Sequence, residues 1–184
     1  MKIEKISWQG LDAVLLETNV YEAIVVPSVG ANVVKLYNKE KQVDILHTPT
    51  VEEMDTFMSR PQIFGVPLLF PPNRIEDGTY NFAGKKYEYP ITIQAQNNYH
   101  HGIIKSESFT ITHTRFSSDA VEVEASFYSN RINNAIYTDF PHEFVCKIRI
   151  ILTDNELTHI VTFHNLSKEA MPLGVGYHTP IRLP

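Results

Sequence analysis

The sequence predicts an all-β fold, a large antiparallel β-sandwich of curved sheets, and three observations carry that expectation. Apolar and polar residues alternate with the two-residue period of half-buried strands over most of the chain. Short turn signals separate successive runs, and tight turns join antiparallel neighbours because parallel ones need a long crossover. Helical periodicity is almost absent, which leaves packed sheets as the architecture.

Leu11 to Glu17, Glu22 to Val26 and Asn32 to Leu36 read as an opening set of short strands, with Asn19, Pro27, Ser28 and Gly30 between them. Thr50-Val51-Glu52-Glu53 is a capping box: Thr50 accepts from the backbone while Glu53 reaches back, so a short helix is expected that ends before Pro61. Thr79 to Glu88 carries the signal of a small hairpin turning at Gly84. Longer strands follow at Ser108 to Thr114, Ala120 to Tyr128, Phe144 to Leu152 and Leu157 to Phe163. Ser117-Ser118-Asp119 and Asp154-Asn155 supply the turns that make two long hairpins of them. In the run from Val121 to Phe127 the valines, Ala125 and Phe127 share one face and the glutamates the other, which predicts a buried side and a wet side.

A chain of 184 residues with 43% hydrophobic content can bury a substantial core, and residues 1–184 are read as one domain. The 16 Lys and Arg against 21 Asp and Glu leave a net charge of −5, spread along the chain without a basic cluster. Nucleic acid is therefore not an expected partner, since phosphate backbones are bound by concentrated cations. No window reaches the roughly 18 apolar residues of a membrane span, and the start Met1-Lys2-Ile3-Glu4-Lys5-Ile6 has no long apolar stretch; a cytoplasmic protein without a membrane partner is expected. The single cysteine, Cys146, has no internal disulfide partner and reads as a small core hydrophobe. No oligomeric state is written in the sequence.

Three polar segments interrupt the β pattern. In the first, Pro71-Pro72-Asn73-Arg74-Ile75, two prolines stiffen the chain ahead of Arg74 and can present its guanidinium from a rigid base; the bland alternative pairs Arg74 with Glu76 or Asp77. The second, Asn97-Asn98-Tyr99-His100-His101-Gly102, holds adjacent histidines, which an extended chain points to opposite faces, so one of them is expected in a site. The third is Gly174-Val175-Gly176-Tyr177-His178-Thr179-Pro180, whose glycines signal a bulge or a close backbone approach beside His178. Eight histidines could make a zinc site, but they lack His-x-x-x-His or Cys-x-x-Cys spacing, and no metal ligands are assigned. No Gly-x-Ser-x-Gly elbow or phosphate-cradling glycine loop occurs either.

In order, spacing and local pattern these three segments resemble the aldose 1-epimerase, or galactose mutarotase-like, family. The resemblance implies a galactose mutarotase-like supersandwich, no cofactor, and an isomerase that interconverts the α and β anomers of a small-molecule sugar. It implies His178 as the general acid that protonates the ring oxygen. The histidine preceding the glycine selects His101, a second catalytic and sugar-binding candidate, with Arg74 and Asn73 completing the substrate-binding set. The family's general base is a glutamate expected beyond Pro184, as is a sugar-binding aspartate, so the chain is expected to correspond to the N-terminal part of the family fold. Two alternatives accompany this reading. One is a noncatalytic carbohydrate-binding protein in which Tyr99 and Tyr177 help hold the sugar. The other is a phosphosugar 1-epimerase, which needs extra cations over the pocket from among Lys85, Lys86 and Lys105.

Overall fold

A computed structural model describes residues 1–130, 132 and 136–182. In chain order its elements begin with strands β1 (Lys2–Trp8), β2 (Leu11–Glu17), β3 (Tyr21–Val26), β4 (Asn32–Asn38) and β5 (Val43–Asp44), then helix α1 (Met54–Ser59). Short strands follow: β6 (Leu68–Leu69), β7 (Arg74–Glu76), β8 (Thr79–Phe82), β9 (Lys85–Glu88) and β10 (Asn98–His100). The last third holds β11 (Thr110–Phe116), β12 (Val121–Ser129), α2 (Ile136–Asp139), β13 (Phe144–Leu152), β14 (Leu157–Asn165) and β15 (Gly176–Tyr177). Strands β1 to β5 form one antiparallel meander and β11 to β14 another.

The strand pattern decides how these sheets pack. Val121, Val123, Ala125 and Phe127 of β12 and Phe144, Cys146, Ile148 and Ile150 of β13 lie on one face, and they share a core with Val14, Leu16, Ala23, Val25 and Val33 of the first sheet. Cys146 is fully enclosed there, and burial pushes its thiol up to about 12. The intervening positions Ala13, Ile24, Val26 and Val34 face the opposite way and are covered by Phe57 and Phe64. Phe57 meets Trp8 edge-on at 6.3 Å and Phe64 at 5.9 Å. Strand β3 is therefore buried on both faces, and the expected β-sandwich carries a third layer, a helical segment, on the outside of its first sheet.

That segment starts where the capping box predicts. The Thr50 amide donates to Glu53 Oε2 at 2.9 Å, which holds the Glu53 carboxyl below its usual range. The first turn is a tight three-residue helix, Val51–Glu53, before α1 begins, and α1 stops at Ser59 ahead of Pro61. The hairpin β8–β9 turns on Ala83 and Gly84, both with positive φ.

Two differences from the sequence reading have clear causes. Strand β1 was not anticipated, because Lys2, Glu4 and Lys5 dominate its composition, although Ile3 and Ile6 are packed against the cores. Glu122 belongs to the face expected to be wet, yet only 8% of it is exposed. Arg149 on the neighbouring strand folds over it, with Nε and Nη2 donating to the two carboxylate oxygens at 2.6 and 2.9 Å.

Candidate functional site

Two short strand pairs bring the three polar segments together. Strand β7 pairs with β10 so that Arg74 lies opposite His100, and β6 pairs with β15 so that Leu68 lies opposite Tyr177, the residue before His178. The chain at Phe70 anchors both pairs. Its ring packs against Phe140, Phe144 and Phe163 at centroid distances of 5.2, 5.6 and 4.6 Å, while its carbonyl accepts from the Ile103 amide at 2.8 Å. Each glycine beside a site histidine answers a close approach. A Cβ on Gly102 would stand 2.6 Å from the Phe70 nitrogen, and one on Gly176 would stand 2.7 Å from Cβ of Pro72. The room made by Gly176 is thus occupied by the proline ring, not left open beside His178.

The ring centroids of His101 and His178 are 5.3 Å apart, and those of His100 and His101 are 3.4 Å apart. The two adjacent imidazoles therefore lie together and not on opposite faces, contrary to the parity expectation. Parity holds for an extended chain only, and His101 leaves the strand with φ of 62°. The turn is secured by Asn73, which also has positive φ, at 63°, and whose carbonyl accepts from the His101 amide at 3.0 Å. Asparagine tolerates that conformation better than most residues. Asn73 thus acts on the site through its backbone.

The imidazoles differ in environment. Burial, followed by the nearby His100, His178, Lys105 and Arg74, holds His101 down to about 4, so this ring is neutral at pH 7. Its Nδ1 is enclosed and has no hydrogen-bond partner among the described residues. His178 is exposed, and its Nδ1 bonds to the Gln62 carbonyl at 3.0 Å. Because a carbonyl only accepts, Nδ1 carries the hydrogen, and Nε2 is the nitrogen left for proton exchange.

Arg74 is exposed and pairs with neither Glu76 nor Asp77; Asp77 instead accepts from Asn97 Nδ2 at 2.6 Å. It lines a cleft of about 510 Å³ together with Ser59, Arg60, Gln62, Thr92, Ile93, His100 and Lys105. Arg60 was missed in the sequence. It ends a helix far from the polar segments, and no local pattern marks it. Tyr99 is only 5% exposed and stacks on Tyr89 at 4.7 Å, so it belongs to the core and cannot hold a sugar. Tyr177 is accessible and bonds to His159 Nδ1 at 2.9 Å. Lys85 and Lys86 decorate their hairpin, paired with Glu169 at 3.2 Å and Glu88 at 2.6 Å. His142 is a buried tie between the Tyr87 hydroxyl at 2.8 Å and Ser167 Oγ at 3.0 Å. Among the described residues no group of three His, Cys, Asp or Glu side chains is arranged to hold a metal, and no helix is long and apolar enough to cross a membrane.

A sequence profile of the aldose 1-epimerase family matches residues 12–184. The chain belongs to the aldose 1-epimerase family. It is similar to a galactose mutarotase-like protein from Clostridium acetobutylicum, with 40% identity and a TM-score of 0.90 over 98% of this chain and 53% of that one. A galactose 1-epimerase from Lactobacillus acidophilus shares the fold at 16% identity and a TM-score of 0.73, over 97% of this chain and 52% of that one. A GalM/aldose epimerase homologue from C. elegans does so at 20% identity and a TM-score of 0.62, over 90% of this chain and 49% of that one. The chain thus spans about half the length of these solved structures. The galactose mutarotase-like sandwich expected from the three polar segments is the fold of this aldose 1-epimerase family member.

Proposed function

We propose that this site opens and recloses the ring of an aldose, interconverting its α and β anomers. The observation that supports this best is the pair of dissimilar imidazoles at 5.3 Å, one buried and neutral, the other tied through Nδ1 to a main-chain carbonyl. Ring opening breaks the bond between C1 and the ring oxygen. The C1 hydroxyl gives its proton to a base while the ring oxygen receives one from an acid, and rotation about C1–C2 precedes closure on the other face.

His178 suits the acid. In its cationic form Nδ1–H keeps its bond to Gln62, and Nε2–H is the proton delivered. Two cationic imidazoles at this distance would repel, and burial keeps His101 neutral beside His178. Neutral His101 and the Arg74 guanidinium then hold sugar hydroxyls, with Asn73 setting the turn between them. The family resemblance makes the base a glutamate; Glu76 lines a neighbouring cleft with Arg74, while no described carboxylate lines the cleft shared with His100.

Polarimetry on freshly dissolved α-D-glucose and α-D-galactose tests the reading. Acceleration over the spontaneous rate that His178→Ala lowers by about 10²–10⁴-fold, the usual share of a general acid, would support the reading and put the unassigned base within this chain. A second reading is a noncatalytic carbohydrate-binding protein, in which exposed Arg74 and the imidazoles hold a sugar without turnover. Sugar binding by folded protein without any acceleration would select it.

A further inference from the structure

We infer that Gln62 determines sugar specificity, its side-chain amide hydrogen-bonding one hydroxyl of the aldose beside His178. The inference rests on the sugar site proposed above and adds a residue that discriminates among hydroxyls. Gln62 meets that site in two ways. Its main-chain carbonyl accepts from His178 Nδ1 at 3.0 Å, and the residue lines the cleft shared by Arg74 and His100. Its side chain is left without work in the fold. Only 7% of the residue is exposed, its amide has no hydrogen-bond partner among the described residues, and Oε1 is enclosed.

The great majority of buried polar groups are paired, because an enclosed donor or acceptor has given up its hydrogen bonds to water. An amide enclosed beside a cleft therefore calls for a partner from that cleft. Enclosed side-chain atoms without a partner also occur at Gln9, Asp44, Thr48 and His159, but Gln9 and His159 bond through their other nitrogens, to Pro49 and Tyr177. The remaining such atoms, Gln62 Oε1 and His101 Nδ1, belong to two residues that both meet His178, one by its carbonyl and the other ring to ring at 5.3 Å. A sugar hydroxyl donates and accepts at once. The amide can answer it either way, since rotation about its last bond exchanges Nε2 and Oε1. Gln62 and neutral His101 thus bracket His178 with polar groups that neighbouring hydroxyls of one sugar can satisfy together.

The amide stands on a stiff base. Gln62 sits in the tight turn Pro61–Ile63, between buried Pro61 and buried Phe64. The Phe64 ring packs edge-on against Phe57 at 5.9 Å, and its carbonyl accepts from the enclosed Asn32 side chain at 3.0 Å. A polar group held so firmly cannot follow a misplaced hydroxyl, so it reads position. A sugar lacking that hydroxyl leaves the amide unpaired and is rejected for that reason.

The test is calorimetric titration of the full chain and of Gln62→Met with glucose, galactose and the monodeoxy analogues of each. Methionine keeps the length of the side chain and removes the amide. The parent is expected to bind one monodeoxy analogue about tenfold more weakly than the complete sugar, and Gln62→Met should bind the two alike. Two further measurements keep a structural role apart. The main-chain carbonyl survives the substitution, so nitrogen NMR should find His178 with its hydrogen on Nδ1 in both proteins. Without sugar, Gln62→Met should unfold in urea no earlier than the parent, because it removes an unpaired buried amide; a glutamine needed by the fold would give the opposite. Discrimination that survives in Gln62→Met, or is missing from the parent, would overturn the inference. A variant less stable than the parent, or one with an altered His178 tautomer, would also overturn it, by assigning the amide to the fold or to the acid. A parent that binds no sugar defeats the site reading as well, whereas sugar bound without discrimination defeats the role of Gln62 alone.

Discussion

Gly176 lies against the ring of Pro72, so close that a Cβ on it would fall 2.7 Å from the proline Cβ. This contact locks the strand that leads into His178 against the segment that leads into Arg74. Gly176→Ala should force the two apart and destabilise the protein by about 1–3 kcal/mol, the usual cost of overpacking. Gly174, 3.2 Å from Pro72 Cδ by the same construction, should tolerate alanine better. Urea unfolding of both variants checks this, and equal losses would show that the Pro72 contact does not set the spacing.

A second prediction follows from the depressed histidines. His101 and His159 are each held down to about 4 in the fold, against 6.5 for an unperturbed imidazole, chiefly by burial. The unfolded chain therefore takes up protons at these positions before the folded one does. Their contribution to stability is complete above pH 6.5 and is lost as pH falls through 4. His101→Gln should lose less stability than the parent between pH 7.5 and 5 in denaturant titrations. An unchanged slope would mean that His101 titrates normally in the fold.

Tyr99 separates core from site. Tyr99→Ala should cost about 3–5 kcal/mol, as truncation of a buried aromatic does. In whatever fraction stays folded, sugar affinity should be that of the parent. A selective loss of sugar binding in a protein of normal stability would return Tyr99 to the site.

Much of the fold was legible because the long strands mostly alternate apolar and polar residues. Phe144–Leu152 alternates buried and half-buried residues along its full length, so its limits were read to the residue. Pattern failed where tertiary contacts overrode it. Lys2–Trp8 looks like a solvated segment until β2 is placed beside it, and Glu122 looks wet until Arg149 covers it. Within the candidate site, His101, His178 and Arg74 were visible as local motifs. The joint presence of His100 was not, because one left-handed residue reverses the direction of its neighbour's side chain. Arg60 was invisible for a different reason. Its relation to Arg74 and Lys105 exists only once the segment after α1 has folded over the first sheet.

The hydrogen bond between His178 and Gln62 joins residues 116 positions apart. Loops of that span are entropically slow to close, and contacts of high sequence separation delay folding more than they affect final stability. On a ribosome the two meanders can form as hairpins while synthesis proceeds, but β6 has no partner until β15 has emerged. The arrangement of His178 against Gln62 should therefore appear only after the two meanders have formed, so its appearance times a folding step that follows most of the secondary structure described.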